Sequence, residues 1–311
     1  MIAASIDIGT NTTRLLIAEV ASGGSYGVLT RRAVITRLGE GVSRAGLFTE
    51  TAIERTEKVL EDYHREIKEL SAEKIWVVAT SAAREARNCA EFLKRVEERF
   101  GWKVWVLSGE EEARLSFLGA ASVLLPQTEG VVMDIGGGST EIILGKNRNM
   151  LGFCSLDIGS VRLTEVFVRT DPPSPDELGE ISNHVREKLA EVPKELSEAE
   201  VSHGVGIAGT ITSLSAVKQR MEVYDTERIH GSVLTLHDVQ SILDLLVSLP
   251  LEKRTKVIGL DPKRADVIVA GTLILIEVMR AFRLQEITVS ERDILDGILI
   301  DRAKSEVSDW S

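Results

Sequence analysis

The sequence predicts an α/β protein of two related domains, each a sheet with helices packed on it. Three observations carry that prediction. Short runs rich in Val and Ile alternate with longer stretches whose apolar residues recur at helical spacing. One loop is written twice: residues 6–15 read I-D-I-G-T-N-T-T-R-L, and residues 133–142 read M-D-I-G-G-G-S-T-E-I. The 311 residues are also enough for two domains of ordinary size.

Residues 2–8, 14–20 and 27–35 read as three strands, with Gly23-Gly24 as a turn. Thr49 is placed to cap a long helix whose stripe is Ile53, Val59, Leu60, Tyr63, Ile67 and Leu70. Residues 75–79 and 103–107 are short β-rich runs with a polar helix between them. Near Pro126 the pattern restarts, and 131–135, 142–144 and 150–158 repeat the three-strand order. Helices are expected at 175–192, 209–220, 236–246, 261–282 and 291–307. The division that follows is a first domain over 1–125 and a second over 126–291.

Aromatic residues make up only 5% of the chain, so the cores are expected to be Val, Ile, Leu and Ala. A net charge of −11 argues against nucleic-acid or membrane-surface binding. It also sets a condition: a phosphate site must offset that charge with local Arg, Lys, backbone donors or Mg²⁺. Cys89 and Cys154 form no C-x-x-C and read as reduced, buried or half-buried residues. The N-terminus lacks the basic start of a signal peptide, and the longest apolar stretch, 267–278, is interrupted by Gly271, Thr272 and Glu277. A cytoplasmic protein is expected.

The twin loops carry the chemistry. In each, an apolar run ends in an aspartate, Asp7 or Asp134. Then come Gly9, Thr10, Asn11 and Thr12 in the first, and Gly136, Gly137, Gly138, Ser139 and Thr140 in the second. Small residues let backbone N–H groups approach an anion, and hydroxyls add donors. A carboxylate just before such a loop can hold Mg²⁺ directly or through water. One loop alone reads equally well as an ordinary turn between strands. The pair, 134 − 7 = 127 positions apart, favours a ligand, and two such loops facing each other would hold a phosphate chain and its metal.

Other motifs have simpler readings. Ser108 with Glu111 is a capping box, leaving Glu112 on another face of the helix. His237-Asp238 resembles a metal-phosphohydrolase dipeptide, but Thr235 and Asp238 fit a capping box and the five histidines are scattered. Residues 204–209 spell G-x-G-x-x-G, yet 197–203 is too polar for the strong strand that a dinucleotide fold needs.

These motifs together resemble the exopolyphosphatase/guanosine pentaphosphatase family, within the superfold shared by actin and sugar kinases. The resemblance spans nearly the whole chain. It includes V-A-T-S-A-A-R-E-A-R-N at 78–88, S-G-E-E-E-A-R at 108–114, D-I-G-S-V-R-L-T-E at 157–165, G-I-A-G-T-I-T at 206–212 and R-A-D-V-I-V-A-G at 264–271. It implies two ribonuclease-H-like domains with an interdomain cleft, and a last helix, about 292–311, that returns to the first domain. It implies that Glu112 is the catalytic base and that Arg84, Ser160 and, more weakly, Arg264 bind phosphate. Glu141 joins Asp134 and Asp7 at one Mg²⁺. Gly209 and Thr210 form a third ligand loop, in which Ala208 stands where the family usually has Gly.

The activity so implied is Mg²⁺-dependent hydrolysis of a terminal phosphoanhydride, from polyphosphate, guanosine pentaphosphate or both. Dimers are common in the family. Longer members carry a C-terminal extension, so shorter substrates are expected here. Two rivals remain at this stage: a kinase of the same superfold, which needs an acceptor alcohol, and a nucleotide-gated scaffold without useful turnover.

Overall fold

The computed structural model describes residues 1–21, 25–124, 128–146 and 148–304. The Gly23-Gly24 turn, the restart at Pro126 and the last residues of the expected C-terminal helix lie outside them. The chain divides into two units, Met1–Gly119 with Asp293–Ser311, and Ala120–Arg292.

In the first unit, β1 (Ile2–Ile8), β2 (Thr12–Val20) and β3 (Tyr26–Ile35) form an antiparallel meander. β4 (Lys74–Ala79) and β5 (Val104–Val106) extend it in parallel, giving the order β3-β2-β1-β4-β5. Alternate residues of a strand face opposite sides, and β1 uses both. Ala4, Ile6 and Ile8 pack towards the helices Glu50–Glu69 and Cys89–Phe100, in one core with Ile53, Leu60, Tyr63 and Phe92. The Thr49 hydroxyl accepts from Ala52 N at 3.2 Å, which is the cap its sequence position suggests.

Ala3, Ser5 and Asp7 lie on the other face of β1. There Ala3, Leu16, Ala18 and Val78 share a core with Leu295, Ile298 and Leu299 of the helix Ile294–Lys304. Ser5 Oγ donates to Leu295 O at 3.0 Å. Glycines let this C-terminal helix meet the helix Gly109–Ala120 closely. A Cβ on Gly119 would sit 1.9 Å from Asp293 O, and one on Gly297 1.9 Å from Leu115 O.

The second unit repeats the plan. β6 (Glu129–Ile135), β7 (Thr140–Lys146) and β8 (Asn149–Leu156) are the meander, and β9 (His203–Ile207) pairs in parallel with β6. β10 (Val233–Thr235) is an antiparallel edge on β11 (Glu286–Val289), which is parallel to β9. The order β10-β11-β9-β6-β7-β8 is the first sheet's order with one strand added. The helix Ile268–Ala281 is buried from Ile268 through Met279, as its all-round apolar sequence requires.

The observed elements differ from the expected ones in the second unit, where β10 and β11 were also not expected. The expected helix over 261–282 is broken: Asp261 caps a single 3₁₀ turn, Pro262–Arg264, and the α-helix starts only at Ile268. The helix Ser160–Phe167 was not foreseen. Nor was β9, where the first two glycines of G-x-G-x-x-G lie in the strand itself. A Cβ on Gly204 would meet Leu284 at 2.7 Å, and one on Gly206 would meet Ile211 at 2.7 Å. Those glycines make room for core side chains, which removes the dinucleotide reading on stronger grounds than a weak preceding strand.

Both capping boxes form. Glu111 N donates to Ser108 Oγ and Ser108 N to Glu111, and Asp238 N donates to Thr235 Oγ1 and Thr235 N to Asp238. Asp238 also pairs with Lys218 at 2.8 Å, so the His237-Asp238 dipeptide is a helix start. Among the described residues no helix is long and apolar enough to cross a membrane, and both cysteines are free thiols.

Candidate functional site

The two loops are built to one plan. Each joins antiparallel strands through four residues, 9–12 and 136–139. Each is closed by the same hydrogen bond, Gly9 N to Thr12 O at 3.1 Å and Gly136 N to Ser139 O at 3.0 Å. The glycines answer to crowding: a Cβ on Gly9 would lie 2.9 Å from Thr12 O, and one on Gly136 3.2 Å from Ser139 O. Register then sets each aspartate opposite the residue seven positions on: Asp7 faces Arg14, and Asp134 faces Glu141.

That pairing gives the two aspartates different partners. Asp7 is 1% exposed, and its Oδ2 accepts from Arg14 Nε at 2.9 Å and Nη2 at 2.6 Å. Burial pushes the Asp7 carboxyl above the ordinary aspartate range, by more than Arg14 draws it down, and Asp293 adds to the push. Asp7 Oδ1 and both amide atoms of Asn11 are buried with no hydrogen-bond partner. Each such atom costs about 1–3 kcal/mol, which marks this loop as shaped for a ligand.

At the second loop, Asp134 is 6% exposed and Glu141 is fully buried, with Ser155 Oγ donating to Glu141 Oε1 at 2.8 Å. Like charges directly opposite on neighbouring strands destabilise a sheet. Two carboxylates so placed suit Mg²⁺, which takes one or two carboxylates and keeps waters or phosphate oxygens elsewhere. Among the described residues no three His, Cys, Asp or Glu side chains gather as a metal site. Asp134 and Glu141 thus form one facing carboxylate pair in the second unit, while Asp7, expected in the same set, is held by Arg14 in the first.

The second loop is braced from behind. Ser160 N donates to Gly136 O at 3.0 Å, Val161 N to Gly137 O at 2.9 Å and Arg162 Nε to Gly138 O at 2.8 Å. The Ser160 hydroxyl donates to Gly136 O at 3.3 Å and the Thr140 hydroxyl to Ile158 O at 2.6 Å, and a hydroxyl has one hydrogen to give. The first loop is braced by the chain after β3, through Thr36 N and Arg37 N to Asn11 O and Gly39 N to Thr10 O.

Glu112 and Arg84 come together in the first unit. Glu112 is 8% exposed, and Arg84 Nη1 lies 2.6 Å from its Oε2 while donating to Leu107 O at 2.9 Å. Arg84 positions Glu112 by a charge-assisted bond. A guanidinium has five N–H donors, so this pairing leaves capacity for phosphate oxygens.

The third loop follows β9 in the second unit. Ala208 has φ 68°, a left-handed conformation costly for any residue with a Cβ, so a glycine there would be unstrained. A Cβ on Gly209 would lie 2.2 Å from Arg264 Nη1, so the guanidinium rests on that glycine. Gly271 lets the helix Ile268–Ala281 press on Thr210 and Ser160, where a Cβ would meet them at 2.7 and 3.2 Å. Gly209, Thr210 and Arg264 are thus brought together.

Sequence reasoning did not single out Arg14, Asp293, Ser155 or Gly159. Arg14 was legible: with a four-residue loop closed in register, position i+7 faces position i across the hairpin. Gly159 was not. A Cβ there would lie 2.3 Å from Gly137 O, a contact set by the fold.

Comparison with known proteins places this architecture. The chain is 40% identical over 317 residues to exopolyphosphatase 2 of Mycobacterium tuberculosis, covering 96% of this chain and 98% of that protein. It is 38% identical to a bifunctional 3-dehydroquinate synthase/phosphatase of Fusobacterium nucleatum, spanning 97% of this chain and 47% of that one. The crystal structure of the Aquifex aeolicus Ppx/GppA family member superposes with a TM-score of 0.81 at 36% identity, over 97% of both chains. An exopolyphosphatase from Cytophaga hutchinsonii superposes at 0.92 with 26% identity over 100% of both. The sequence model of the Ppx/GppA phosphatase family matches residues 16–306, and the chain belongs to that family.

Proposed function

We propose that this phosphatase-family chain hydrolyses the terminal phosphoanhydride of inorganic polyphosphate or guanosine pentaphosphate, with Glu112 activating the attacking water. The observation that carries the reading is the buried Glu112 carboxylate held by Arg84 at 2.6 Å. A carboxylate fixed next to a guanidinium can orient water and accept its proton while the same guanidinium binds the phosphoryl oxygens. The 40% identity to an exopolyphosphatase favours polyphosphate as the substrate.

In this reading the Gly9–Thr12 and Gly136–Ser139 segments bind phosphate oxygens through backbone N–H groups. Arg264, resting on Gly209, adds positive charge. Asp134 and Glu141 would hold Mg²⁺, which when bound neutralises charge on the phosphate chain. Glu112 takes the proton of water as its oxygen attacks phosphorus in line, and the shortened chain leaves with the electron pair of the broken P–O bond.

The test is phosphate release from long polyphosphate, short polyphosphate, guanosine pentaphosphate and ATP, with and without Mg²⁺. It is run on wild type and Glu112→Gln. Wild type should free phosphate with water as the only acceptor, and Glu112→Gln should lose on the order of 10²–10⁴-fold in kcat. Full activity in the Gln variant removes Glu112 as the base. Turnover that demands an acceptor alcohol makes the chain a kinase, and turnover of none of the four substrates makes it a scaffold.

A further inference from the structure

We propose that Asp293 is a positioning residue for the first loop: it holds Arg14 so that Asp7 is engaged through one oxygen only, leaving the other to accept from a water beside the substrate. The inference rests on the reading of the first loop as a substrate site.

Asp7 and Asp293 are far apart in sequence and share one arginine. Arg14 places Nε and Nη2 on Asp7 Oδ2, at 2.9 and 2.6 Å, and Nη1 on Asp293 Oδ2 at 2.5 Å. The favoured meeting of guanidinium and carboxylate is a fork on a fork, with each oxygen taking one N–H. Here both donors converge on Oδ2, and Oδ1 is buried without a hydrogen-bond partner. The departure has a visible cause, since the third nitrogen is drawn to Asp293.

Asp293 is itself fixed. Its Oδ1 accepts from Leu295 N at 2.9 Å, at the start of the C-terminal helix, and its own N–H donates to Asp296 Oδ2 at 3.0 Å. Asp296 in turn accepts from Arg31 Nη2 at 2.6 Å and from the Tyr26 hydroxyl at 2.5 Å. Three carboxylates and two guanidiniums therefore form one set that ties the helix start to β1, β2 and β3. A set serving stability alone would engage both oxygens of each buried member, as it does for Asp296. This one leaves Asp7 Oδ1 unengaged, four positions before Asn11, whose amide is also buried without a partner.

Without Asp293, Arg14 is released to close on both oxygens of Asp7. The expected result for Asp293→Ala is a fall in kcat of about 10-fold on polyphosphate with KM within twofold. Asp293→Asn, which keeps the shape and can still accept from Leu295 N, should show the same fall in milder form, and it guards against a variant that merely fails to fold. In an Asp7→Asn background, loss of Asp293 should lower kcat no further.

A crystal structure of Asp293→Ala gives a readout separate from turnover, with Arg14 expected on both oxygens of Asp7. The proposal is overturned if kcat is unchanged, if the two substitutions multiply, or if Arg14 keeps its place with Oδ1 still unengaged. Failure of wild type to release phosphate would instead overturn the functional reading, and the structural readout would still decide the relay.

Discussion

The first and second loops share length, closing hydrogen bond and register, and differ in what faces the aspartate. Arg14 faces Asp7, and Glu141 faces Asp134. The same backbone thus makes two sites that differ in the partner of the aspartate. One aspartate is pinned by a guanidinium, and the other faces a second carboxyl group. The difference teaches that a repeated loop fixes geometry, while the cross-strand partner decides what chemistry faces the aspartate.

The contrast is broken most directly at its charges. Asp134→Ala should lower Mg²⁺-dependent phosphate release by at least about 10²-fold and weaken Mg²⁺ binding measured by calorimetry. Arg14→Gln should leave Mg²⁺ affinity nearly unchanged while lowering turnover. Equal effects of both variants on Mg²⁺ binding would show that the loops do not divide the work.

The next test compares the braces. Gly159→Ala drives a Cβ against the Gly137 carbonyl at 2.3 Å, whereas Gly39→Ala meets the Thr10 methyl at 2.4 Å. A methyl can rotate aside and a carbonyl in a braced loop cannot. Gly159→Ala should therefore destabilise by about 3 kcal/mol and raise KM, with Gly39→Ala milder in both. Denaturant unfolding and steady-state kinetics check the order, and the reverse order would remove rigidity as a distinguishing property of the second loop.

The third loop offers a smaller gain. Ala208→Gly removes the left-handed strain and should stabilise by about 1 kcal/mol, read as a rise in the unfolding midpoint. No gain would mean that neighbours favour the strained conformation.

The smallest expected effect is a pH dependence in the second unit. Glu177, in the capping box of the helix Pro175–Leu189, accepts from the Thr170 hydroxyl and from Ser174 N, which lower its carboxyl to about 2. Its folded value lies below its ordinary one, so its contribution is present above about 4.5 and is lost as pH falls towards 2. Glu177→Gln should flatten that part of the stability–pH curve, and an unchanged acid limb would assign the loss to other carboxylates.

Much of this was legible in the sequence where the governing forces are local. The Thr49 cap, the two capping boxes and the strand pattern of both meanders follow from hydrogen bonds and side-chain periods within a few residues. The hairpin rule that sets i opposite i+7 makes Arg14 and Glu141 readable too. The reading stumbled where context outweighed pattern. Residues 261–282 are continuously compatible with helix, yet Asp261 and Pro262 close a separate turn first. Residues 203–207 look too poor in side chains for a strand, yet they sit at the centre of a sheet because neighbouring side chains fill the space over Gly204 and Gly206.

The sequence by itself determined the twin loops, their aspartates, and the alternation that makes two sheets. Only the tertiary structure decided that Asp293 reaches Arg14 from 279 positions away, that Arg84 meets Glu112, and that Gly159 must lack a side chain. Backbone hydrogen bonding and side-chain period act over a handful of residues and are written in order along the chain. Which distant carboxylate shares a guanidinium depends on how whole helices seat on a sheet, and that is settled by packing.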